Sequence, residues 1–361
     1  MNKMIYLCAA AALTLASCSN DETVEVAQQK GISFRAVTGL NTRASEVTTD
    51  NLSAIKVTAF WDKNNDKYDG FDTEVDYVKN GGVFNSAVSK FWPKDENETL
   101  SFTAFSNNWM GTKTITNKNN ISVSGVAINA DVDNQADMVY VTGMTGTKAA
   151  NETNGVALEL EHALSQIQIS AKSDNTVYTY QVKGIRIANV DGQADFDVVT
   201  GKWSNNDAND QVYNVTYDNA ITLDGTAKTI MKAKGNNLML LPQGATTAWN
   251  VDADQTNTNK GTYISVLLRI TKGADNVFPA EGTDTYGWAA VPASFTWVKG
   301  NKYVYTLDFT NGAGRVDPVD PGTDVDPGNK DPDKGDKILG DPIKFTVTVT
   351  PWNPQENNIG M

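Results

Sequence analysis

Residues Asp341–Pro354 read DPIKFTVTVTPWNP. Ile343, Phe345, Val347 and Val349 alternate there with Lys344, Thr346, Thr348 and Thr350. That period of two marks a strand with one buried and one wet face. A single strand has no stability in water, so this one must pair with something. Yet the 28 residues before it, Arg315–Pro342, hold eight Asp, five Pro and four Gly and no aromatic residue. Such a composition buries no core and predicts a stiffened linker over residues 313–342, with a reach of roughly 85 Å at polyproline rise. The final strand, residues 343–361, is thus expected on a tether long enough to leave its own body.

Working outward, strand patterns dominate from residue 31 onward. Alternation is clear in LSAIKVTAFW (Leu52–Trp61), TLSFTAFS (Thr99–Ser106), VYTYQVKGIRIANV (Val177–Val190), TYISVLLRIT (Thr262–Thr271) and YVYTLDFT (Tyr303–Thr310). Turn clusters such as DKNNDKYDG and WSNNDANDQ separate them. No window sustains a 3.6-residue apolar period over three turns, so the fold class is all-β, built of sandwiches. The polar stretch GTKAANETNG (Gly146–Gly155) has no apolar anchor. It predicts a boundary between one sandwich over 31–150 and a second over 151–312.

The chain has 361 residues and a net charge of -13. That balance excludes nucleic acid as a partner, since phosphates need a basic surface. At the N-terminus, Lys3 precedes the apolar run Met4–Ala16 and then Leu15-Ala16-Ser17-Cys18. The run is too short to span a bilayer but suits a signal peptide over residues 1–17. Small residues ending in Cys form a lipobox, which makes Cys18 the lipidated first residue of the mature chain. Residues 18–30 would then be a lipid-anchored tether. The only other cysteine, Cys8, would leave with the signal, so no disulfide within the chain is available. The acidic stub SNDE after Cys18 resembles signals that carry lipoproteins of Gram-negative anaerobes to the outer cell surface.

Catalytic chemistry is poorly provided for. The single histidine, His162, lies at a junction of two apolar strands and reads as structural. No G-x-S-x-G accompanies it. Carboxylate-pair hydrolysis is compatible with 43 acidic residues, but nothing singles out a pair. Asp62, Asn64 and Asp66 alternate as in a calcium loop. The sixth and twelfth places, however, are Lys67 and Thr73 rather than Gly and Glu, so a hairpin turn is expected. The acidic segment reads as a solvated spacer. No metal, no cofactor and no enzymatic activity is expected. Eight tryptophans raise the alternative of a monomeric glycan-binding surface lipoprotein, although strand-borne Trp is more often packed than exposed.

Several landmarks recur in a specific order. The lipobox is followed by ISF (Ile32–Phe34), TRA (Thr42–Ala44), HALSQIQI (His162–Ile169), LMLLPQ (Leu238–Gln243), GNKYVYTLDF (Gly300–Phe309) and VTVTPW (Val347–Trp352). Over nearly its whole length the chain resembles the fimbrillin family, the subunits of surface fimbriae (type V pili) of Gram-negative anaerobes. The resemblance implies two transthyretin-like β-sandwiches in tandem, export as an outer-membrane lipoprotein, and adhesion. It also implies maturation by a trypsin-like protease between Arg43 and Ala44. Loss of the first strand would open a groove, which the terminal strand of a neighbouring fimbrial subunit, identical or different, would fill. The length of the Asp/Pro-rich segment leaves stalk, tip, anchor and accessory roles open.

The residues support this independently. GISFRAV, the first strand (residues 31–37), places Ile32, Phe34 and Ala36 on one face, and PIKFTVTV places Ile343, Phe345 and Val347 there. Both read apolar-polar-Phe-polar-small, so one groove can take either strand in the same register.

Overall fold

The computed structural model describes residues 30–36, 51–207, 210–231 and 237–351. Strands account for nearly all of its regular structure. The N-terminal half forms one eight-stranded sheet. Its order is Glu161–His162, Val139–Gly146, Leu100–Ser106, Ala54–Trp61, Val75–Asn80, Val83–Ser86, Phe34–Ala36 and Val156–Leu158. The alternation in Leu100–Ser106 sends Leu100, Phe102 and Ala104 into the core of this half. Ser101 and Thr103 are buried on the opposite face, where Thr103 Oγ1 meets Thr142 Oγ1 at 2.9 Å. Phe34, seven strands along, touches Phe102, three strands along, at 5.1 Å between ring centroids. The sheet therefore curls onto itself, and its two ends enclose one core.

The second half is a sandwich of two sheets around a single apolar cluster. One sheet runs Gln211–Thr222, Thr179–Val190, Tyr263–Lys272, Gly287–Pro292, Gly312–Val316 and Lys337–Gly340. The other runs Lys228–Thr229, Ser165–Lys172, Asn301–Asp308 and Lys344–Pro351. Ile185 and Leu268 from the first meet Ile169 and Leu307 from the second in that core. His162 lies at the passage between the halves, fully covered, with Nδ1 2.8 Å from an Asp137 carboxylate oxygen.

Three features differ from the sequence expectations. First, the polar stretch near residue 150 is a turn inside the first unit. Lys148–Asn151 forms a short helix, capped by Thr147, whose hydroxyl accepts the Ala150 N–H at 3.3 Å. The chain then returns to the same sheet through Val156–Leu158 and Glu161–His162, so the crossing to the second sandwich falls after His162 rather than at 150/151. Second, the halves share a four-stranded sheet. The hairpin Thr112–Asn117/Asn120–Ala127 pairs with Gln193–Asp197, which in turn pairs with Lys202–Asp207. The halves are thus stitched by backbone hydrogen bonds as well as joined in series.

Third, the Asp/Pro/Gly-rich segment is not a free spacer. Gly312–Val316 pairs with Gly287–Pro292, and Lys337–Gly340 pairs with Gly312–Val316. Between them Asp317, Val325 and Asp331 are buried. The segment has few apolar side chains. What holds it instead is five of its aspartates, Asp317, Asp320, Asp324, Asp331 and Asp336, which accept N–H or O–H donors presented by the second sandwich.

Candidate functional site

Ile32, Phe34 and Ala36 on one side, and Ile343, Phe345, Val347 and Val349 on the other, lie on or beside the first and last of the described strands. Phe34–Ala36 lies between Val83–Ser86, antiparallel with Phe34 opposite Phe84, and Val156–Leu158, parallel with Phe34 opposite Val156. Neighbouring backbone groups extend the pairing: Ile32 N–H donates to the Lys90 carbonyl at 2.6 Å, and Val156 N–H donates to the Ser33 carbonyl at 2.9 Å. Ile32 and Phe34 are buried, Ala36 is half-buried, and Arg35 points to solvent. The Phe34 ring sits edge-on to Tyr77 at 4.8 Å and to Phe102 at 5.1 Å. Trp92 closes on Phe102 from beyond, at 6.0 Å. Removing this strand would leave a slot bounded by two strand edges and floored by aromatic rings. Its two apolar residues together contribute about 3–6 kcal/mol of burial.

The last strand, Lys344–Pro351, pairs antiparallel with Asn301–Asp308 along its whole length, from Leu307 opposite Phe345 to Tyr303 opposite Val349. It belongs to the second sandwich and makes no pairing with the first strand. Directly opposite residues share a face, so Phe345, Val347 and Val349 lie on the side of the buried residues Leu307, Tyr305 and Tyr303. Their cover fades along the strand. Ile343 is 4% exposed, Phe345 is half-buried with its ring 6.2 Å from that of Tyr305, and Val347 and Val349 are 42% and 50% exposed. Ile343 is seated because Gly314, at φ +72, has no side chain there; a Cβ would lie 2.8 Å from Ile343 Cδ1. Among the described residues the strand is thus an edge, unpaired on its outer side, with half of its apolar face uncovered.

Pattern reading did not single out the residue that anchors the segment before this strand. Arg186, in the middle of Thr179–Val190, is 6% exposed. Its Nη1 donates to Asp317 Oδ2 at 2.9 Å and to the Asp320 carbonyl at 3.0 Å; Nη2 reaches Asp320 Oδ2 at 3.0 Å, and Nε reaches Asn214 Oδ1 at 2.8 Å. Its guanidinium lies over the Trp288 ring, 4.1 Å from the centroid. Asp317 also accepts Ser265 Oγ at 2.5 Å and the N–H groups of Val319 and Asp320 at 2.9 and 3.0 Å. A signal existed in the sequence: Arg186 is the one charge within the apolar run Ile185–Ala188.

Other expected positions resolve simply. Cys18, Arg43 and Ala44 lie outside the described residues. The Asp62–Asp66 stretch is a turn in which Lys118 Nζ holds Asp62 Oδ1 at 2.6 Å and Asn64 bonds Asp66. Of the described tryptophans, Trp92, Trp249, Trp288 and Trp297 are buried and Trp61, Trp109 and Trp203 are half-buried, so none is exposed. A polar cleft of about 640 Å³ is walled by Asn189, Asp191, Thr246, Asn250, Asp254 and Asn257. Asp254 there is committed to the loop. The Asn259 N–H and the Thr258 hydroxyl hold its carboxyl below the usual carboxylate range.

Residues 42–352 match the model of a family described as fimbrillin-like. Among solved structures, a fimbrial protein from Bacteroides vulgatus superposes with a TM-score of 0.57 at 14% identity, covering 90% of this chain and 100% of that one. A protein described as a candidate cell adhesion protein from Bacteroides uniformis aligns at 17% identity and a TM-score of 0.47, covering 90% of this chain and 99% of its own. No curated protein matches the chain.

Proposed function

From the chain's membership of the fimbrillin-like family, we propose that it is a structural subunit of cell-surface fimbriae, serving adhesion and carrying out no catalysis of its own. Export proceeds as a lipoprotein held in the outer membrane through Cys18. Cleavage between Arg43 and Ala44 frees the first strand, and the emptied slot receives the last strand of another fimbrial subunit.

The observation that carries this reading is the half-covered apolar face of Lys344–Pro351. Val347 and Val349 are 42% and 50% exposed on the strand's core side, beside a strand edge that another chain can pair with. In the slot of the first strand, Ile343 and Phe345 would replace Ile32 and Phe34, with Phe345 against Tyr77, Phe84 and Phe102. Addition of a strand between two existing edges satisfies backbone groups on both sides, whereas the strand's own sheet satisfies one side only. Exchange therefore trades one row of hydrogen bonds for two and covers the apolar face. The alternative of a glycan platform finds no exposed tryptophan among the described residues.

The test is negative-stain microscopy of the pure protein before and after limited trypsin. Cleavage should yield a chain beginning at Ala44 and filaments from it, while Arg43→Ala remains intact there and monomeric. Arg35 is exposed, but its peptide bond lies in a strand paired on both sides and resists cutting. Quantitative cleavage at Arg43 without any filament would remove the strand-exchange reading.

A further inference from the structure

We propose that Arg186 is a positioning residue that fixes the Asp317–Gly340 segment as a permanent strap, so that the part of the chain able to leave the body begins only at Pro342. The inference rests on the donor reading of Lys344–Pro351 and sets where the donor is released.

The strap is attached at closely spaced points. At its start, Asp317 N–H donates to the Trp288 carbonyl at 2.9 Å, and Trp288 N–H donates back to Pro321 at 2.9 Å. Between them lies the Arg186 clasp, which binds the Asp317 and Asp320 carboxylates and the Asp320 carbonyl at once. Further on, Asp324 accepts the Tyr286 N–H at 3.0 Å and Asp331 the Ala280 N–H at 2.8 Å, while Asp336 accepts Gln255 Nε2 at 2.5 Å. Lys337–Gly340 then pairs with Gly312–Val316, and Asp341 N–H still reaches the Asn311 carbonyl at 3.0 Å. Pro342 has no N–H to give. Beyond it the strand meets the body on one edge only, with cover that thins from Ile343 to Val349. Attachment thus changes in kind past Pro342: the strap combines a buried Arg186–Asp317 clasp, further carboxylate bonds and the edge pairing of Lys337–Gly340, whereas the last strand has edge pairing alone.

The consequence is geometric. A released spacer of 28 residues would reach roughly 85 Å at polyproline rise. With the strap in place the donor is an eight-residue strand of about 27 Å. A receiving slot must then lie within one strand length of the donor's own sandwich, which enforces close, direct stacking of subunits. A floppy join is excluded.

Two disulfide staples in the full chain separate the strap from the donor. Antiparallel Cα partners lie within bridging distance. R315C/K337C staples the strap, since Arg315 faces Lys337; T306C/T346C staples the last strand, since Thr306 faces Thr346. Each is oxidised, cut with trypsin and scored for filaments with and without reductant, beside wild type treated alike. The T306C/T346C protein should lose filaments and regain them on reduction, and the R315C/K337C protein should assemble as wild type in both states. Reductant-dependent loss of filaments in the strap-stapled protein would show that the strap must peel away, overturning the proposal. Undiminished assembly of the T306C/T346C protein would instead sink the donor reading, and the release point with it. A third measurement bears on the clasp in the uncut monomer. Arg186→Met should raise amide exchange across residues 317–340 and leave Phe34–Ala36 unchanged; unaltered exchange in the strap would refute the role of Arg186.

Discussion

Phe345→Ala distinguishes the two places in which the last strand can sit. In its own sandwich Phe345 is half-buried at a sheet edge, with one tilted ring contact to Tyr305 at 6.2 Å. Truncating a fully buried Phe costs about 3–5 kcal/mol, and at this half-covered site the cost should be about 1–2 kcal/mol. In the slot of Phe34 the same ring would be enclosed by Tyr77, Phe84 and Phe102, where Phe34 itself is 0% exposed. The cost there should approach the full about 3–5 kcal/mol, a weakening of subunit joining by roughly a hundred- to a few-thousand-fold. Urea denaturation of the uncut monomer reads the first quantity. The concentration needed for filament formation after cleavage at Arg43 reads the second. The mutation should therefore shift the monomer's midpoint slightly and the assembly threshold strongly. Equal effects on both, or a destabilised monomer that still assembles at the wild-type threshold, would refute the assignment of Phe345 to a neighbour's slot.

Two further predictions concern anchoring and alkaline stability. Cys18→Ser should abolish incorporation of labelled palmitate and retention in the outer-membrane fraction; continued labelling of the variant would mean that Cys18 is not the lipidated residue. Burial pushes the Tyr305 phenol up from 10.0 to about 12. Because the folded-state value is raised, the unfolded chain loses this proton first as pH rises. The contribution is present in full below pH 10 and is lost between there and about 12, a fall of roughly 2–3 kcal/mol for this group. Tyr305→Phe should flatten that part of the stability curve, measured by denaturant titration at fixed pH; an unchanged slope would mean that Tyr305 does not contribute.

Much of the fold was legible because sheets obey a period of two. Ala54–Trp61, Leu100–Ser106 and Thr179–Val190 announce themselves by alternation, and Ile32 and Phe34 fall on the buried face assigned to them. What escaped was whatever depends on polar attachment. The acidic segment looks unfoldable by apolar content, yet Asp317, Asp324, Asp331 and Asp336 each satisfy donors of the second sandwich. These carboxylate bonds have no apolar signature, so neither hydropathy nor periodicity reports them. The shared sheet was hidden for another reason. Pairing of Gln193–Asp197 with Asn120–Ala127 joins residues some seventy positions apart, and local pattern carries no information on partner choice. The half-exposed Val347 and Val349 follow from the same limit: alternation assigns them to a face but says nothing about what covers it.

The most direct measurement is a cryo-electron microscopy map of the filaments formed after cleavage at Arg43. Density for Lys344–Pro351 should leave its own Asn301–Asp308 and lie in the next subunit between Val83–Ser86 and Val156–Leu158, with the Phe345 ring where Phe34 had been and the Arg186–Asp317 clasp intact. Filaments in which the last strand remains paired with its own Asn301–Asp308 while the slot stays empty or is filled by another segment would contradict strand donation.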